Sequence, residues 1–382
     1  MTSSKATPEA LAVLRRQLDE LDGQVLDLLA RRMEVIKNVA AVKRAEGVQI
    51  RDFARERQVL DERCQRAQQL GLSPAPIESI YRQIMLSSRD YQASLGAAAP
   101  RTVVPKDVAV IGGAGQMGQL MARMFGELGH RVVIADLQTD ARPRQVAASA
   151  DVVLISVPIQ STLDVIAEIG PHVRQDALLM DVTSVKQAPI AAMLQHSRAS
   201  VVGTHPMFGP GVHTLQGQRV VVCPGRGEAW CSWLEQMLDA RGLVVTRASA
   251  EEHDRAMALV QVLTHFQTQV LGWTLARCGV PLEQSRRFTS PAYLMELYVA
   301  ARHFAQDPTL YGPIEMLNPD TKLVTAAFQK AAQDLGEILE RRDQQRFNEM
   351  FAEVRAFFGE FALEATEQSS FMIDRLVERT IG

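Results

Sequence analysis

An all-α domain, an α/β domain built on a mostly parallel sheet, and a second all-α domain are predicted in that order. Three observations carry the prediction. Residues 8–92 have helical periodicity without a convincing strand. From Asp107 onward, short β-branched runs alternate with amphipathic stretches. After about Ala250 the β-runs stop and helical patterns take over. A chain of 382 residues also exceeds what one ordinary core organises. The expected boundaries are residues 1–95, a linker over 96–105, residues 106–250, and residues 251–382.

In the first segment Leu14, Leu18, Leu21, Val25 and Leu28 follow a 4-3-4-3 spacing, continued by Val35, Val39 and Val42. This predicts one long helix with a narrow apolar seam of the kind that packs on another helix. Position 32 breaks the seam with an arginine. A cation there needs an anion, because an unpaired buried charge is costly. Lys43 follows 11 residues later, on nearly the same face and roughly 16 Å along the axis. Two long cationic side chains can therefore close on a small dianion from either end. Arg15 lies about 25 Å from Arg32 along the same helix, so it can join such a pocket only from a second chain. Spacing alone leaves open the alternative of arginines that snorkel on an amphipathic helix.

The linker is read from Gly96-Ala97-Ala98-Ala99-Pro100 and Pro105. Seven strand patterns follow: DVAVIGG, RVVIAD, DVVLISVP, ALLMDVTS, VVGTHP, RVVVCP and LVVTRAS. Strands alternating with helices argue for a mostly parallel sheet covered on both faces. The last segment reads as long helices broken near Gly279-Val280-Pro281, Ser290-Pro291 and Asn318-Pro319.

The first strand runs into Gly112-Gly113-Ala114-Gly115-Gln116-Met117-Gly118 and then a helical stretch. The next strand ends in Asp136, 18 positions beyond Gly118. Strand, glycine turn, helix and a strand-end acid together form the Rossmann-type dinucleotide fingerprint. Gly113 is expected to make the tight turn, Gly115 to let the backbone approach a pyrophosphate, and Gly118 to let helix and strand pack closely. Gln116 and Met117 open the helix whose N-terminus faces the phosphates. Asp136 would accept a ribose 2′-hydroxyl and repel a 2′-phosphate, which favours NAD over NADP. Beyond later strands lie Ser156-Val157-Pro158, Ser184-Val185-Lys186 and His205, where ligands of open α/β sheets bind. Ser156 and Pro158 are candidate cofactor contacts. A histidine at such a strand end is as often a structural hydrogen-bond partner as a base.

Composition excludes other classes. The net charge of −3 gives no footprint for nucleic acid or an anionic membrane. The four scattered cysteines include no CxxC pair and suggest neither a disulfide framework nor a zinc site, so no metal is expected. No signal core and no run of 18 apolar residues is present, and a cytoplasmic enzyme is expected.

The strings GTHPMFGP, DVTSVK, EHDRAMALVQVLTHF and RHFAQDPTLY resemble prephenate dehydrogenase and cover most of residues 107–382. The resemblance implies oxidative decarboxylation of prephenate to 4-hydroxyphenylpyruvate with reduction of NAD. It implies that His205 contacts the ring hydroxyl and promotes hydride transfer. Arg302 would bind the ring carboxylate through a planar fork, Ser184 and Lys186 would line the pocket, and His265 would contribute to binding of substrate or inhibitor. His253, His303 and Tyr311 are weaker candidates. The chain departs from some members at Gly211, where an acid follows HPMFGP, and at Leu294, where a second arginine precedes LEL.

Residues 11–92, with LAVLRRQLDELDGQVLDLLARRMEVIKNVAAVKR, RDFARERQVL and IYRQIMLSSRDYQ, resemble the all-helical chorismate mutase domain, an intertwined dimer. By motif position Arg15, Arg32, Lys43, Asp52, Arg55, Glu56, Ser88 and Gln92 fall on the family's binding positions. The resemblance implies that Lys43 and Gln92 address the ether oxygen, that Arg15, Arg32 and Arg55 clamp carboxylates, and that Glu56 holds the substrate hydroxyl. A homodimer with chorismate and prephenate as substrates is expected, and tyrosine is a possible inhibitor acting at or near the dehydrogenase site. Arogenate as the oxidised substrate, another Rossmann dehydrogenase acting on hydroxy acids, and a non-catalytic NAD or tyrosine sensor are the competing readings.

Overall fold

The computed structural model describes residues 8–46, 48, 50–95, 104–212 and 214–380. Most of the expected linker, residues 96–103, lies outside the described residues, as do the first seven positions.

The first segment is three helices: α1 (Pro8–Glu46), α2 (Phe53–Gln69) and α3 (Pro74–Ser94). Asp52 starts α2, its carboxylate accepting the backbone N–H of Arg55 at 2.9 Å. Pro74 occupies the first turn of α3, where a missing N–H costs nothing. The seam of α1 is exposed in this chain: Leu14, Leu18, Leu21 and Val25 are each more than half accessible.

The α/β segment runs β1 (Asp107–Ile111), α4 (Gln116–Glu127), β2 (Arg131–Ala135), α5 (Pro143–Ser149), β3 (Val152–Ile155), α6 (Thr162–Ile169), β4 (Leu178–Asp181), α7 (Gln187–His196), β5 (Ser200–Pro206), β6 (Arg219–Arg226), α8 (Glu228–Ala240) and β7 (Val244–Arg247). All seven strands fall where the β-branched runs are. They form one sheet in the order β2-β1-β3-β4-β5-β6-β7. Every neighbouring pair is parallel except β5 with β6, which is antiparallel. β3 and β4 are buried along their whole length, which is why β3 reads as an unbroken apolar run and β4 as an apolar run up to Asp181. Val108, Val110, Leu154 and Met180 pack against Met121, Met124 and Phe125 of α4.

The last segment comprises α9 (Ala250–Met257), α10 (Thr264–Arg277), α11 (Leu282–Arg287), α12 (Pro291–Phe304), α13 (Pro308–Leu317), α14 (Thr321–Arg341), α15 (Gln344–Phe358) and α16 (Phe361–Thr380). Ser249 and Glu252 form a reciprocal capping box at the start of α9. Between α9 and α10 the helix continues as a π-turn over Ala258–Leu263, an irregularity that no sequence signal announced. All three expected breaks are present.

By packing, the chain divides into two compact units. One takes the chain up to Val157 with Glu168–Val182 and His196–Arg247; the other takes Pro158–Ala167, Thr183–Gln195 and Ala248 onward. Two segments inside the linear range 106–250 therefore pack with the helical C-terminal segment. Their bonds explain this: Gln160 donates to the Thr309 carbonyl at 3.4 Å, and the Lys186 and Gln187 N–H groups donate to Asp254. Among the described residues no helix is long and apolar enough to cross a membrane.

Candidate functional sites

In the three-helix segment, α1 and α3 bring several of the expected residues together. Arg32 donates to the Ser88 hydroxyl, which itself donates to the Ile84 carbonyl at 2.6 Å. The partner found for Arg32 is thus a neutral hydroxyl rather than the anion its burial called for. Burial pulls the Arg32 guanidinium below its ordinary pKa, with Tyr81 acting the other way. Lys43 donates to the Ile50 carbonyl at 2.5 Å. Its ammonium is also lowered by burial, against the opposing pull of Asp52 and Glu56. Gln92 is buried on α3; its Nε2 donates to the Ser88 carbonyl at 3.2 Å, while its Oε1 has no hydrogen-bond partner. Two partly desolvated cations suit a small anion, and the Gln92 Oε1 left without a donor suits a ligand that also carries a hydroxyl.

Other expected residues are differently placed. Glu56 is engaged by Arg89 and, at 3.5 Å, by Arg51, two partners that the motif reading missed. Asp52 caps α2, and Arg55 is exposed. Arg15 is exposed near the start of α1, away from Arg32.

The glycine loop lies between the ends of β2 and β3. Gly112 N–H donates to the Ala135 carbonyl and Ser156 N–H to the Ile111 carbonyl, both at 2.8 Å. The tight turn falls at Gly112 rather than at Gly113 as expected: Gly112 has φ of +79°, and an added Cβ would stand 2.5 Å from the Ser156 carbonyl oxygen. Gly113 is instead required by packing, since its Cβ would meet Ile134 at 2.7 Å. At Gly118 a Cβ would stand 2.7 Å from the Gly113 Cα, so the close approach is between the helix and the glycine turn rather than between helix and strand as expected. Gly115 differs from all three. Its φ and ψ, −65° and 158°, suit any residue, and a Cβ would meet only the Gly112 oxygen at an ordinary 3.5 Å. The fold does not demand glycine there; a ligand lying close to the backbone would.

Asp136 accepts the Ala114 N–H at 3.0 Å and the Leu137 N–H at 2.7 Å. The acid therefore sits on the glycine loop with acceptor capacity remaining. The Ala114 and Gly115 N–H groups are committed within the protein, Gly115 to the Gly112 carbonyl at 3.3 Å. This leaves the N–H groups of Gln116, Met117 and Gly118, in a first turn of α4 that no side chain caps, as candidate anion donors. A flat glycine cradle, three helix-terminal donors and a strand-end carboxylate fit a dinucleotide. His205 is the penultimate residue of β5, opposite Val221 and only 3% exposed. Ser156 follows β3 directly, at the same end of the sheet.

In the second unit, Ser184 is half-buried and Lys186 has no exposed surface. Lys186 Nζ reaches the Thr183 hydroxyl at 3.4 Å. Arg302 lies in the last turn of α12, exposed. One residue on, His303 stacks on Tyr311 with ring centroids 4.1 Å apart, and His265 meets Tyr311 edge-on at 4.9 Å. Burial pushes His265 down to about 4, with His303 adding to the effect, and burial lowers His303 as well. His265 is therefore a neutral imidazole at physiological pH. Gln269 donates to Glu315 at 2.6 Å and meets His303 at 3.1 Å. Gln269 and Glu315 escaped the sequence reading, although each follows a candidate by four positions on a helix, after His265 and Tyr311. Burial raises the Glu315 carboxyl. Leu294 is buried on α12, where a guanidinium would be desolvated, and Gly211 faces open space.

Three family models match the chain in succession: chorismate mutase type II over residues 14–93, prephenate dehydrogenase nucleotide-binding domain over 127–247, and prephenate dehydrogenase dimerization domain over 249–353. The glycine loop precedes the second match, so its assignment stands on the geometry above. The T-protein of Enterobacter agglomerans is 37% identical over 355 residues, covering 92% of this chain and 94% of that protein. The T-protein of Haemophilus influenzae is 33% identical, covering 96% and 97%. In fold, the α/β and C-terminal segments are similar to a prephenate dehydrogenase from A. aeolicus solved with hydroxyphenyl propionate and NAD+. That match has a TM-score of 0.55 and 19% identity, and covers 67% of this chain and 98% of that one. The chain belongs to the T-protein family, which joins a chorismate mutase to a prephenate dehydrogenase in one polypeptide.

Proposed function

We propose that residues 1–95 convert chorismate to prephenate and that residues 106–250 and 251–382 together oxidise the prephenate with NAD. The observation that carries the first half is the convergence of Arg32, Ser88 and Gln92 on facing helices, with Lys43 partly desolvated nearby. The rearrangement is pericyclic and needs neither nucleophile nor proton transfer. Cations held out of water stabilise the folded substrate and the charge that develops on the ether oxygen. Arg32 and Lys43 supply those cations, and Gln92 donates to the same oxygen. Ser88 orients Arg32; Asp52 and Arg55 line the rim, with Arg55 reaching a carboxylate. Glu56, fixed by Arg89 and Arg51, accepts the substrate hydroxyl. Arg15 enters from a second chain, for which the exposed seam of α1 supplies the contact, so the active form is a homodimer.

In the dehydrogenase, Gln116, Met117 and Gly118 N–H groups hold the pyrophosphate, Gly115 makes room for it, and Asp136 takes the ribose hydroxyls. Ser156 and Pro158 flank the nicotinamide end. NAD, when bound, supplies the hydride acceptor. His205 hydrogen-bonds the ring hydroxyl as its carbon gives up hydride, and loss of carbon dioxide leaves the ring aromatic. Arg302 pairs with a carboxylate of the substrate, and Ser184, Lys186 and His265 shape the pocket. Tyrosine, a close relative of the product, competes at this site, and the enzyme works in the cytoplasm.

Two variants test the division of labour. Arg32→Ala is expected to abolish chorismate loss while prephenate-dependent NADH formation stays near normal; His205→Asn is expected to do the reverse. A variant that loses both activities while remaining folded would contradict separate sites. Competing arogenate with prephenate in the NADH assay checks the substrate.

A further inference from the structure

The SVK turn after β4 carries two of the proposed pocket residues, Ser184 and Lys186, and one buried acid governs its backbone. Asp254, on α9, is 1% exposed, and its two carboxylate oxygens take consecutive N–H groups of that turn: Lys186 on Oδ1 at 2.8 Å and Gln187 on Oδ2 at 3.0 Å. Gln187 opens α7, so Asp254 caps that helix from a distant point in the chain. Both N–H groups belong to the helix end, where a negative charge is favoured by the aligned peptide dipoles.

The same Oδ1 lies 2.7 Å from Nδ1 of His253, which is equally buried. An ionised carboxylate only accepts, so Nδ1 carries the proton and the tautomer of His253 is set by Asp254. The main chain of Asp254 is fixed in turn by Asn318, whose Nδ2 donates to the Asp254 carbonyl at 2.8 Å. Burial by itself would raise this carboxyl, but the bonds from His253, Gln187 and Lys186 outweigh it and hold it below its ordinary range.

We infer that Asp254 is a positioning residue of the dehydrogenase: by binding the Lys186 and Gln187 N–H groups and orienting His253, its carboxylate sets where Ser184 and Lys186 stand in the substrate pocket. A mere packing role would be served by any isosteric side chain. Asparagine is isosteric but offers one acceptor in place of two, and its amide N–H would face an N–H of the turn. The inference rests on the reading that Ser184 and Lys186 contact substrate, and its test separates the two.

Asp254→Asn, Asn318→Ala and Lys186→Met are compared with the parent enzyme in the full chain. Four quantities are measured: KM and kcat for prephenate, the dissociation constant for NADH by fluorescence, thermal stability, and mutase turnover. Asp254→Asn is expected to lower kcat/KM for prephenate at least tenfold while NADH binding and mutase turnover stay within about twofold. Asn318→Ala keeps the carboxylate and is expected to lose thermal stability with a smaller loss of kcat/KM. The positioning role is overturned if Asp254→Asn keeps kcat/KM within twofold, or if its loss is matched by losses of thermal stability and of NADH binding, which mark general disruption of the enzyme rather than of the turn. Unchanged prephenate kinetics in Lys186→Met would instead overturn the reading of the pocket itself.

Discussion

Gly115 and Gly118 should fail in different ways when alanine replaces them. At Gly118 the new methyl would stand 2.7 Å from the Gly113 Cα and 2.9 Å from the Gly112 oxygen. Both are backbone atoms and cannot rotate away, so α4 or the loop must shift, at a cost of about 1–3 kcal/mol in stability. At Gly115 the nearest atom is 3.5 Å away and the backbone angles suit alanine. Loss of a favourable N-cap glycine and reduced freedom of the unfolded chain act in opposite directions, and stability should change by less than about 1 kcal/mol. The methyl would, however, take up space at the helix end where the pyrophosphate is proposed to bind. Displacing the phosphate breaks at least one charge-assisted hydrogen bond of about 1.5–3 kcal/mol, which weakens NADH binding roughly ten- to hundredfold. Fluorescence titration with NADH and thermal unfolding of the two variants read both quantities. Native-like NADH affinity in Gly115→Ala would refute the placement of the pyrophosphate. Equal destabilisation in the two variants would refute the distinction between a glycine the fold needs and one the ligand needs.

Asp136→Ala removes the carboxylate beside the glycine loop; the KM for NAD is expected to rise and discrimination against NADP to relax, as steady-state assays with both cofactors would reveal. For His265, the folded value of about 4 lies below the unfolded value near 6.5. The unfolded chain therefore takes up the proton first as pH falls. The contribution of roughly 3 kcal/mol is complete above about pH 6.5 and is lost progressively toward pH 4. Urea unfolding at pH 7 and pH 5 should show this slope in the parent and a flatter one in His265→Asn. Arg15 can be tested by complementation: mixing Arg15→Ala with Arg32→Ala chains should restore mutase activity at about a quarter of the sites, because half of randomly reassembled dimers carry one intact site. No recovery would mean that Arg15 acts within its own chain or not at all.

Much of the architecture was legible because burial leaves a strong local trace. Strands β3 and β4 are buried along their whole length; β3 is an uninterrupted apolar run and β4 is apolar up to Asp181 at its end. The helix breaks follow Gly, Pro and Ser residues whose local chemistry is fixed. The antiparallel pairing of β6 with β5 was not legible, since direction depends on the connection and not on the strand's own pattern. The π-turn before His265 was equally silent. In the sites, Arg32, Ser88 and Gln92 were found on facing helices and His205 and Asp136 at strand ends, while Arg15 and Arg55 lie exposed. The partners of Lys186 and Glu56 were not recognised. Asp254 reaches Lys186 across 68 positions and Arg89 reaches Glu56 across 33, and no periodicity links residues so far apart. The turn glycine was misassigned by one position because a GG pair offers two candidates and only the backbone angle decides.

The central claim is that one chain makes prephenate and then oxidises it. It is tested most directly by supplying chorismate as the sole organic substrate, with and without NAD, and following chorismate loss and NADH gain separately. Without NAD, chorismate should disappear and prephenate accumulate; with NAD, NADH should form in proportion to the chorismate consumed. Chorismate loss without any NADH, or no reaction in either arm, would contradict the claim.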